Sequence, residues 1–225
     1  MEKRKAGSPL GAVVFDLDGT LADSLADIAS AVNATLASRG RPGHPVEAYK
    51  AMVGWGLKQL LVTAANPGFD STELEAAYQQ VLGEYRARPV IHTVAYPGIE
   101  TLLAGLKGRV RLGVFSNKED TIAKAVVSTL FPAAFSEAVG ARPGVPHKPD
   151  PAGLTALLTG WGVEPGRCAY LGDSDVDMET ARRAGVIACG ASWGFRGEAE
   201  LRAAGAEEVF ADAAAFGRWL EGRLD

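Results

Sequence analysis

Cysteine is nearly absent from this chain: Cys168 and Cys189 are the two among 225 residues. Both sit in or beside apolar runs, "RCAYLG" and "VIACG", and read as small buried hydrophobes of a protein kept in a reducing compartment. No CxxC or Cys/His spacing accompanies them, so nothing suggests zinc. Positive charge is also in deficit. Lys and Arg number 23 against 27 for Asp and Glu, a formal net charge of −4, whereas a dedicated nucleic-acid binder needs a basic patch to neutralise phosphates. Apolar runs stay far short of the ~20 residues that cross a bilayer. The opening "MEKRKAGSPLG" is basic and lacks the apolar stretch of a signal peptide. These deficits lead to the expectation of a soluble, cytoplasmic protein without nucleic-acid or membrane partners. Histidine is scarce too, at three residues: His44 and His92 fall in linkers, and His147 beside Lys148 reads as a surface residue.

What is present is ample apolar material, 47% of the chain, in a length that suits one core plus an insertion. A first strand at residues 12–16 gives way to helical spacing at Leu25, Ile28, Ala29, Val32 and Leu36, and Ser24 with Asp27 resembles a capping box. Breaks at residues 40–45 and 66–68 separate two further helical patterns, one from Leu57 to Ala64 and one from Leu74 to Tyr85. From Pro97 and Gly98 onward, helices alternate with the apolar strands "RLGVF", "CAYLG", "VIACG" and "EVF". That rhythm predicts a doubly wound, Rossmann-like α/β core with a parallel sheet covered on both faces. The three helices without intervening strands form a helical insertion over residues 23–92, with residues 1–22 and 93–225 building the core.

In an open parallel sheet, ligands bind at the carboxyl ends of the strands, so the residues after each strand carry the information. After the first come Asp16 and Asp18, within "VVFDLDGTLADS". Taken alone, Asp-Gly after apolar residues is a hairpin signal. After "RLGVF" come Ser116, Asn117 and Lys118; after "CAYLG" come Asp173, Ser174, Asp175 and Asp177; and "HKPDP" sets Lys148 before two prolines. Each cluster by itself is a loop or a helix cap. Four on one edge suit phosphoryl transfer. Carboxylates on two loops can hold a hard divalent cation such as Mg²⁺, and one carboxylate can attack phosphorus. A hydroxyl and an amide can take the equatorial oxygens, and a lysine can balance the charge that spreads over them.

In sequence order, "DLDGTLADS", "SNK", "KPDP" and "GDSDVDMETARRAG" resemble the four signature motifs of the haloacid dehalogenase-like (HAD) phosphatase superfamily. The "YPG" beginning at Tyr96 and the late "SWGFRGEAELRAAGAEEVFAD" are similar to its phosphoglycolate phosphatase subgroup, although Glu119 stands where many members have proline. The resemblance implies that Asp16 is the nucleophile and that Asp18 protonates the leaving alkoxide and then activates water. It implies that Ser116 and Asn117 bind the phosphoryl group and that Lys148 neutralises nucleophile and phosphate. Mg²⁺ would be held by Asp16, Asp173 and the main-chain carbonyl of Asp18, with Asp177 behind them or acting through water. Gly19 would let the loop turn tightly so that N–H groups face the phosphate. Asp175 matches no constrained position and reads as a solvated loop residue.

The same resemblance makes the insertion a cap that closes over the site. Its expected substrate-facing residues are Trp55, set between two glycines, and Lys58, both in "MVGWGLKQL"; a turn with a buried tryptophan is the alternative. The implied activity is a Mg²⁺-dependent phosphomonoesterase working through an aspartyl-phosphate on a small phosphorylated metabolite, 2-phosphoglycolate first, as monomer or homodimer. Other substrates stay open: phosphonoacetaldehyde with Lys58 as a Schiff base, a β-phosphoglucomutase reaction, nucleotides or pyrophosphate. Outside enzymes, a receiver-type signalling module also phosphorylates an aspartate, but on a middle strand and without an insertion.

Overall fold

The computed structural model describes residues 9–65 and 68–224. Of the break expected at residues 66–68, Asn66 and Pro67 lie outside that range, as do the first eight residues of the predicted core. Six strands form one parallel sheet: β1 (Ala12–Phe15), β4 (Arg111–Glu119), β5 (Glu137–Ala141), β6 (Cys168–Gly172), β7 (Ile187–Ala191) and β8 (Glu208–Phe210). Their order is β5-β4-β1-β6-β7-β8, with β1 paired to β4 on one side and β6 on the other. The chain runs outward from β1 through β4 to β5, then crosses back to build β6 to β8. The reversal falls at β1, and a reversal point is where such sheets leave a crevice for ligand at their carboxyl ends.

Every residue of β1 is buried, as expected of a strand covered on both faces. Successive side chains of a strand point to opposite faces. Val13 and Phe15 accordingly join one apolar cluster with residues of α4 (Ile99–Leu106), α5 (Asp120–Leu130) and α9 (Ala213–Glu221), whereas Ala12 and Val14 join another with α6 (Ala152–Trp161), α7 (Asp175–Ala184) and α8 (Glu198–Ala203). Cys168 and Cys189 are buried free thiols within these strands, matching their reading as small hydrophobes. Burial pushes the Cys168 thiol up to about 12. The edge strand β5 was not legible in the sequence: "EAVGA" is short, contains glycine and takes its extended form from pairing with β4.

Between β2 (Ala22–Asp23) and β3 (Val94–Ala95) lie α1 (Leu25–Ser38), a 3₁₀ turn (Val46–Ala51), α2 (Leu57–Ala64) and α3 (Ser71–Ala87). The two short strands pair antiparallel, Ala22 opposite Ala95 and Asp23 opposite Val94, so the chain leaves and re-enters the core through one ribbon. Asp27 locks that crossing. Its carboxylate accepts hydrogen bonds from the N–H groups of Ile91, His92 and Thr93 at 2.9–3.0 Å and from Thr93 Oγ1 at 2.6 Å. The expected Ser24–Asp27 capping box therefore does not form. Ser24 stands at the start of α1 without a side-chain cap bond, because its hydroxyl donates to Asp18 instead.

Candidate active site

Asp16 follows β1, and its N–H still donates to Leu171 O of β6 at 2.8 Å. This register brings it beside Asp173, the residue after β6. Lys148, ahead of α6, reaches in between. Its Nζ stands 2.8 Å from Asp16 Oδ1, 2.7 Å from Asp177 Oδ1 and 3.0 Å from Tyr170 Oη. The contact with Asp16 Oδ1 is an ion pair, and no other donor among the described residues reaches that buried oxygen.

Three carboxylates thus gather where water is scarce, and one ammonium pairs with two of them, Asp16 and Asp177: Asp16 is 7%, Asp173 1%, Asp177 0% and Lys148 3% exposed. Burial disfavours charge, and neighbouring carboxylates add to it. Burial lifts Asp16 from 3.8 to about 6, against the pull of Lys148 and with the push of Asp177. Asp173 lies well above the carboxylate range, from burial and then from Asp177 and Asp16. For Lys148, burial alone would lower the pKa, but the charges of Asp16 and Asp177 outweigh it and raise it.

The donor set fits a hard divalent cation. One oxygen each from Asp16, Asp173 and Asp177 lies within 4.8 Å of the others, and an all-oxygen set with excess negative charge suits Mg²⁺. The three acids are not equivalent. Asp16 has Lys148 on Oδ1, and Asp173 uses one oxygen, accepting from Phe195 N at 2.7 Å. Asp177 has both engaged, Oδ1 with Lys148 and Tyr170 Oη, and Oδ2 with Ser174 N at 3.1 Å and Ser174 Oγ at 2.6 Å. The Ser174 bonds belong to a capping box that starts α7. Asp175, its first residue, is exposed.

Asp18 faces away from that cluster. Lys118 Nζ donates to its two oxygens at 2.9 and 3.1 Å, and Ser24 Oγ donates to Oδ1 at 2.5 Å. Lys118 also donates to Tyr85 Oη of α3 at 2.5 Å. Burial would lower the Lys118 pKa, but Asp18 and Tyr85 reverse the sign and raise it. Burial pushes the Tyr85 phenol up to about 12.

The amide expectation needs correction, and Gly19 has a second reason beyond its turn. Gly19 adopts a left-handed φ of +85°, as a tight loop turn requires, and its own N–H donates to Ala22 O at 2.9 Å. Its physical necessity is space: a Cβ there would sit 2.1 Å from Asp173 Oδ2. Asn117 was expected to hold phosphate through its amide. Its Nδ2 instead donates to Gly54 O at 3.0 Å and Lys148 O at 3.1 Å, and its Oδ1 accepts from Lys148 N at 2.8 Å. Asn117 thereby pins the lysine's backbone and the insertion's glycine loop together. Ser116 is 3% exposed, and its Oγ accepts from Lys118 N at 3.3 Å.

A cavity of about 60 Å³ lies over these groups. Its core wall carries Asp16, Asp18, Ser116, Lys118, Lys148 and Asp173, and the insertion contributes Ile28, Val53, Leu57, Leu60 and Tyr85. Neither Trp55 nor Lys58 is among its lining. Trp55 is 50% exposed, so it is neither a substrate wall nor a buried tryptophan. Lys58 pairs with Glu75 at 2.7 Å on the outer surface of α2 and α3. The flanking Gly54 and Gly56 matter instead, with left-handed φ values of +115° and +85° that carry the loop onto Asn117 and His147. The expected surface role of His147 agrees with its exposure.

Lys118, Tyr85 and Arg196 were not singled out in the sequence. "SNK" contains Lys118, yet a lysine at a helix start reads as solvated, and Tyr85 belongs to an ordinary apolar stripe. Arg196 donates to Lys50 O and Val53 O, tying the loop after β7 to the 3₁₀ turn. Glu119 gains a reason as well, since it caps α5 through Ile122 N and pairs with Arg86 of α3 at 2.8 Å.

A buried carboxylate at the reversal point of a parallel sheet, backed by a lysine and covered by helices, fits a hydrolytic α/β enzyme. The chain belongs to the haloacid dehalogenase-like hydrolases, whose family model matches residues 10–185. It is a phosphatase of that type, similar to phosphoglycolate phosphatases. One from Rhodospirillum rubrum is 38% identical over 219 residues, covering 93% of this chain and 90% of that one. Another, from Aquifex aeolicus, is 32% identical, covering 81% and 85%. A crystal structure of a candidate phosphoglycolate phosphatase from Lactobacillus delbrueckii subsp. bulgaricus superposes with a TM-score of 0.88 at 27% identity, covering 94% of this chain and 98% of its own. Among the described residues no helix is long and apolar enough to cross a membrane.

Proposed function

We propose that the protein is a Mg²⁺-dependent phosphomonoesterase that acts through an aspartyl-phosphate on Asp16, with 2-phosphoglycolate as its substrate. The observation that carries this reading is the buried Asp16 carboxylate. Lys148 stands 2.8 Å from its Oδ1, and the carboxylate lines the cavity above it. Asp16 attacks phosphorus as the bond to the leaving oxygen breaks, and Asp18 supplies the proton to that alkoxide. Asp18 then takes a proton from the water that releases inorganic phosphate and restores Asp16. Lys148 holds Asp16 in place and balances charge on the phosphoryl oxygens, and the Ser116 hydroxyl donates to one of them. Asp16, Asp173 and the Asp18 carbonyl would hold Mg²⁺, with Asp177 orienting Lys148 and reaching the ion only through water. When bound, the ion offsets the excess buried carboxylate charge and polarises the phosphoryl group.

The helical unit, residues 23–92, serves as the cap, and its contacts with Asn117 and Arg196 favour a closed arrangement that excludes water. The walls argue for substrate size. Ile28, Val53, Leu57 and Leu60 offer no polar side chain to read sugar hydroxyls or a base, which disfavours sugar-phosphate and nucleotide substrates. The surface pair of Lys58 with Glu75 disfavours a Schiff-base reaction. Phosphate release from 2-phosphoglycolate, glucose phosphates, nucleoside monophosphates, pyrophosphate and phosphonoacetaldehyde, with Mg²⁺ and then with EDTA, tests the reading. Mg²⁺-dependent preference for 2-phosphoglycolate is expected. Turnover undiminished by EDTA, or a preference for another member of the panel, overturns it.

A further inference from the structure

We propose that Lys118 and Tyr85 form a carboxylate subsite, assembled from core and cap, which selects phosphate esters carrying a second anionic group close to phosphorus. The inference rests on the phosphatase reading and deepens it by assigning the residues that recognise the leaving group. Lys118 side-chain charge is 4% exposed and lines the cavity. Of the other cations on that lining, Lys148 is committed to Asp16 and Asp177, and Arg196 to main-chain carbonyls.

The hydrogen bonds around Lys118 leave room for a ligand. An ammonium has three N–H donors and no acceptor. Here they face both oxygens of one carboxylate, Asp18, and the oxygen of Tyr85. One donor can therefore move to a second anion while Asp18 stays paired, since Ser24 Oγ also donates to it. Tyr85 supplies the second observation. Because Lys118 can only donate, Tyr85 Oη is the acceptor of that bond, and its own proton has no acceptor among the described residues. Tyr85 is 3% exposed and lines the same cavity, and a buried hydroxyl proton without an acceptor is uncommon. Lys118 N–H and Tyr85 O–H are thus two adjacent donors, one from β4 and one from α3, in a cavity whose remaining cap wall is apolar. A carboxylate, with two oxygens and no proton to donate, matches that pair. Its position beside Asp18, the residue assigned to the leaving oxygen, places the carboxylate on the leaving-group side of phosphorus.

The test compares 2-phosphoglycolate with 2-hydroxyethyl phosphate, in which a hydroxymethyl replaces the carboxylate, in the full-length Mg²⁺-loaded enzyme. Tyr85→Phe removes one hydroxyl and keeps the ring; Lys118→Gln removes the charge. A hydrogen bond to a charged group is worth about 10- to 100-fold, so the ratio of kcat/KM for the two substrates is expected to fall at least ~10-fold in Tyr85→Phe. A larger fall is expected in Lys118→Gln. Inhibition by inorganic phosphate, which lacks the carboxylate, should move far less than the 2-phosphoglycolate KM. Equal losses on both substrates would overturn the subsite and leave Lys118 and Tyr85 as positioning residues for Asp18. A wild-type enzyme that hydrolyses both esters equally well would overturn the subsite while the phosphatase reading stands. If wild type hydrolysed no phosphate ester, both would fall.

Discussion

Replacing Asp16, the proposed nucleophile, should make the metal-free protein more stable. In Asp16→Asn the shape is retained and one buried negative charge is removed from a cluster of Asp16, Asp173 and Asp177 in which Lys148 pairs with the first and the last. Burial moves the Asp16 pKa from 3.8 to about 6, and at about 1.36 kcal/mol per pH unit this costs the folded state about 3 kcal/mol above pH 6. The sign follows from proton binding. The folded-state value is raised, so between about 6 and 3.8 the folded protein binds more protons than the unfolded one, and wild-type stability rises as pH falls. The asparagine variant lacks this titration. Its advantage should be largest above pH 6 and fade as pH approaches 3.8. For a chain of this size, about 3 kcal/mol corresponds to a Tm increase of roughly 6–12 °C. Differential scanning fluorimetry in EDTA from pH 4.5 to 8, with phosphatase turnover measured in parallel with Mg²⁺, reads both effects. Turnover should be lost. Added Mg²⁺ should raise the wild-type Tm more than that of the variant, because the ion and the extra charge need each other. A variant less stable than wild type at pH 7.5 in EDTA, or a difference independent of pH, would refute the charge-crowding argument.

Three further outcomes follow from named contacts. Asp18→Asn should lower kcat about 10²- to 10⁴-fold, the range of a lost general acid and base; a loss under tenfold in steady-state assays would remove that role. Asp27→Ala should cost about 3 kcal/mol in denaturant unfolding, dominated by the two bonds to buried Thr93. Hydrogen bonds outweigh burial at Asp27 and lower its pKa, so its contribution should be complete above the ordinary carboxylate value and lost as pH falls through the lower folded value. A mutant–wild-type gap that persists unchanged under acid conditions would contradict the clamp. Lys58→Ala should leave kcat and KM within about twofold, as an exposed ion pair contributes little, and a lost activity would return Lys58 to the site.

The insertion explains which residues function and which merely look suitable. Lys58 and Trp55 carry the chemistry expected of a substrate loop, yet the loop's backbone is what meets the core, through Gly54 O and the open flank of Gly56. Asn117 looks like a ligand for phosphate and instead joins that loop to Lys148. At Asn117, backbone groups that must be satisfied on burial claim a side chain that local sequence assigns to substrate, whereas Lys58 is taken by Glu75 on the surface.

Much of the architecture follows from local pattern. Apolar runs that lead into Asp16, Ser116 and Asp173 specify a parallel sheet, and strand direction places those residues toward one edge of it, which Lys148 also reaches. The helical insertion was equally legible from three periodic segments without a strand between them. Partners across long separations emerge from the folded chain alone. Asp18 meets Lys118 a hundred residues on, Lys118 meets Tyr85 of the insertion, and Asp27 meets residues 91–93 rather than capping its own helix. Periodicity gives the face a side chain lies on within its own element. The angle and distance at which α3 settles over β4 arise from packing the whole apolar cluster, and with them comes the choice of which buried lysine finds which buried acid.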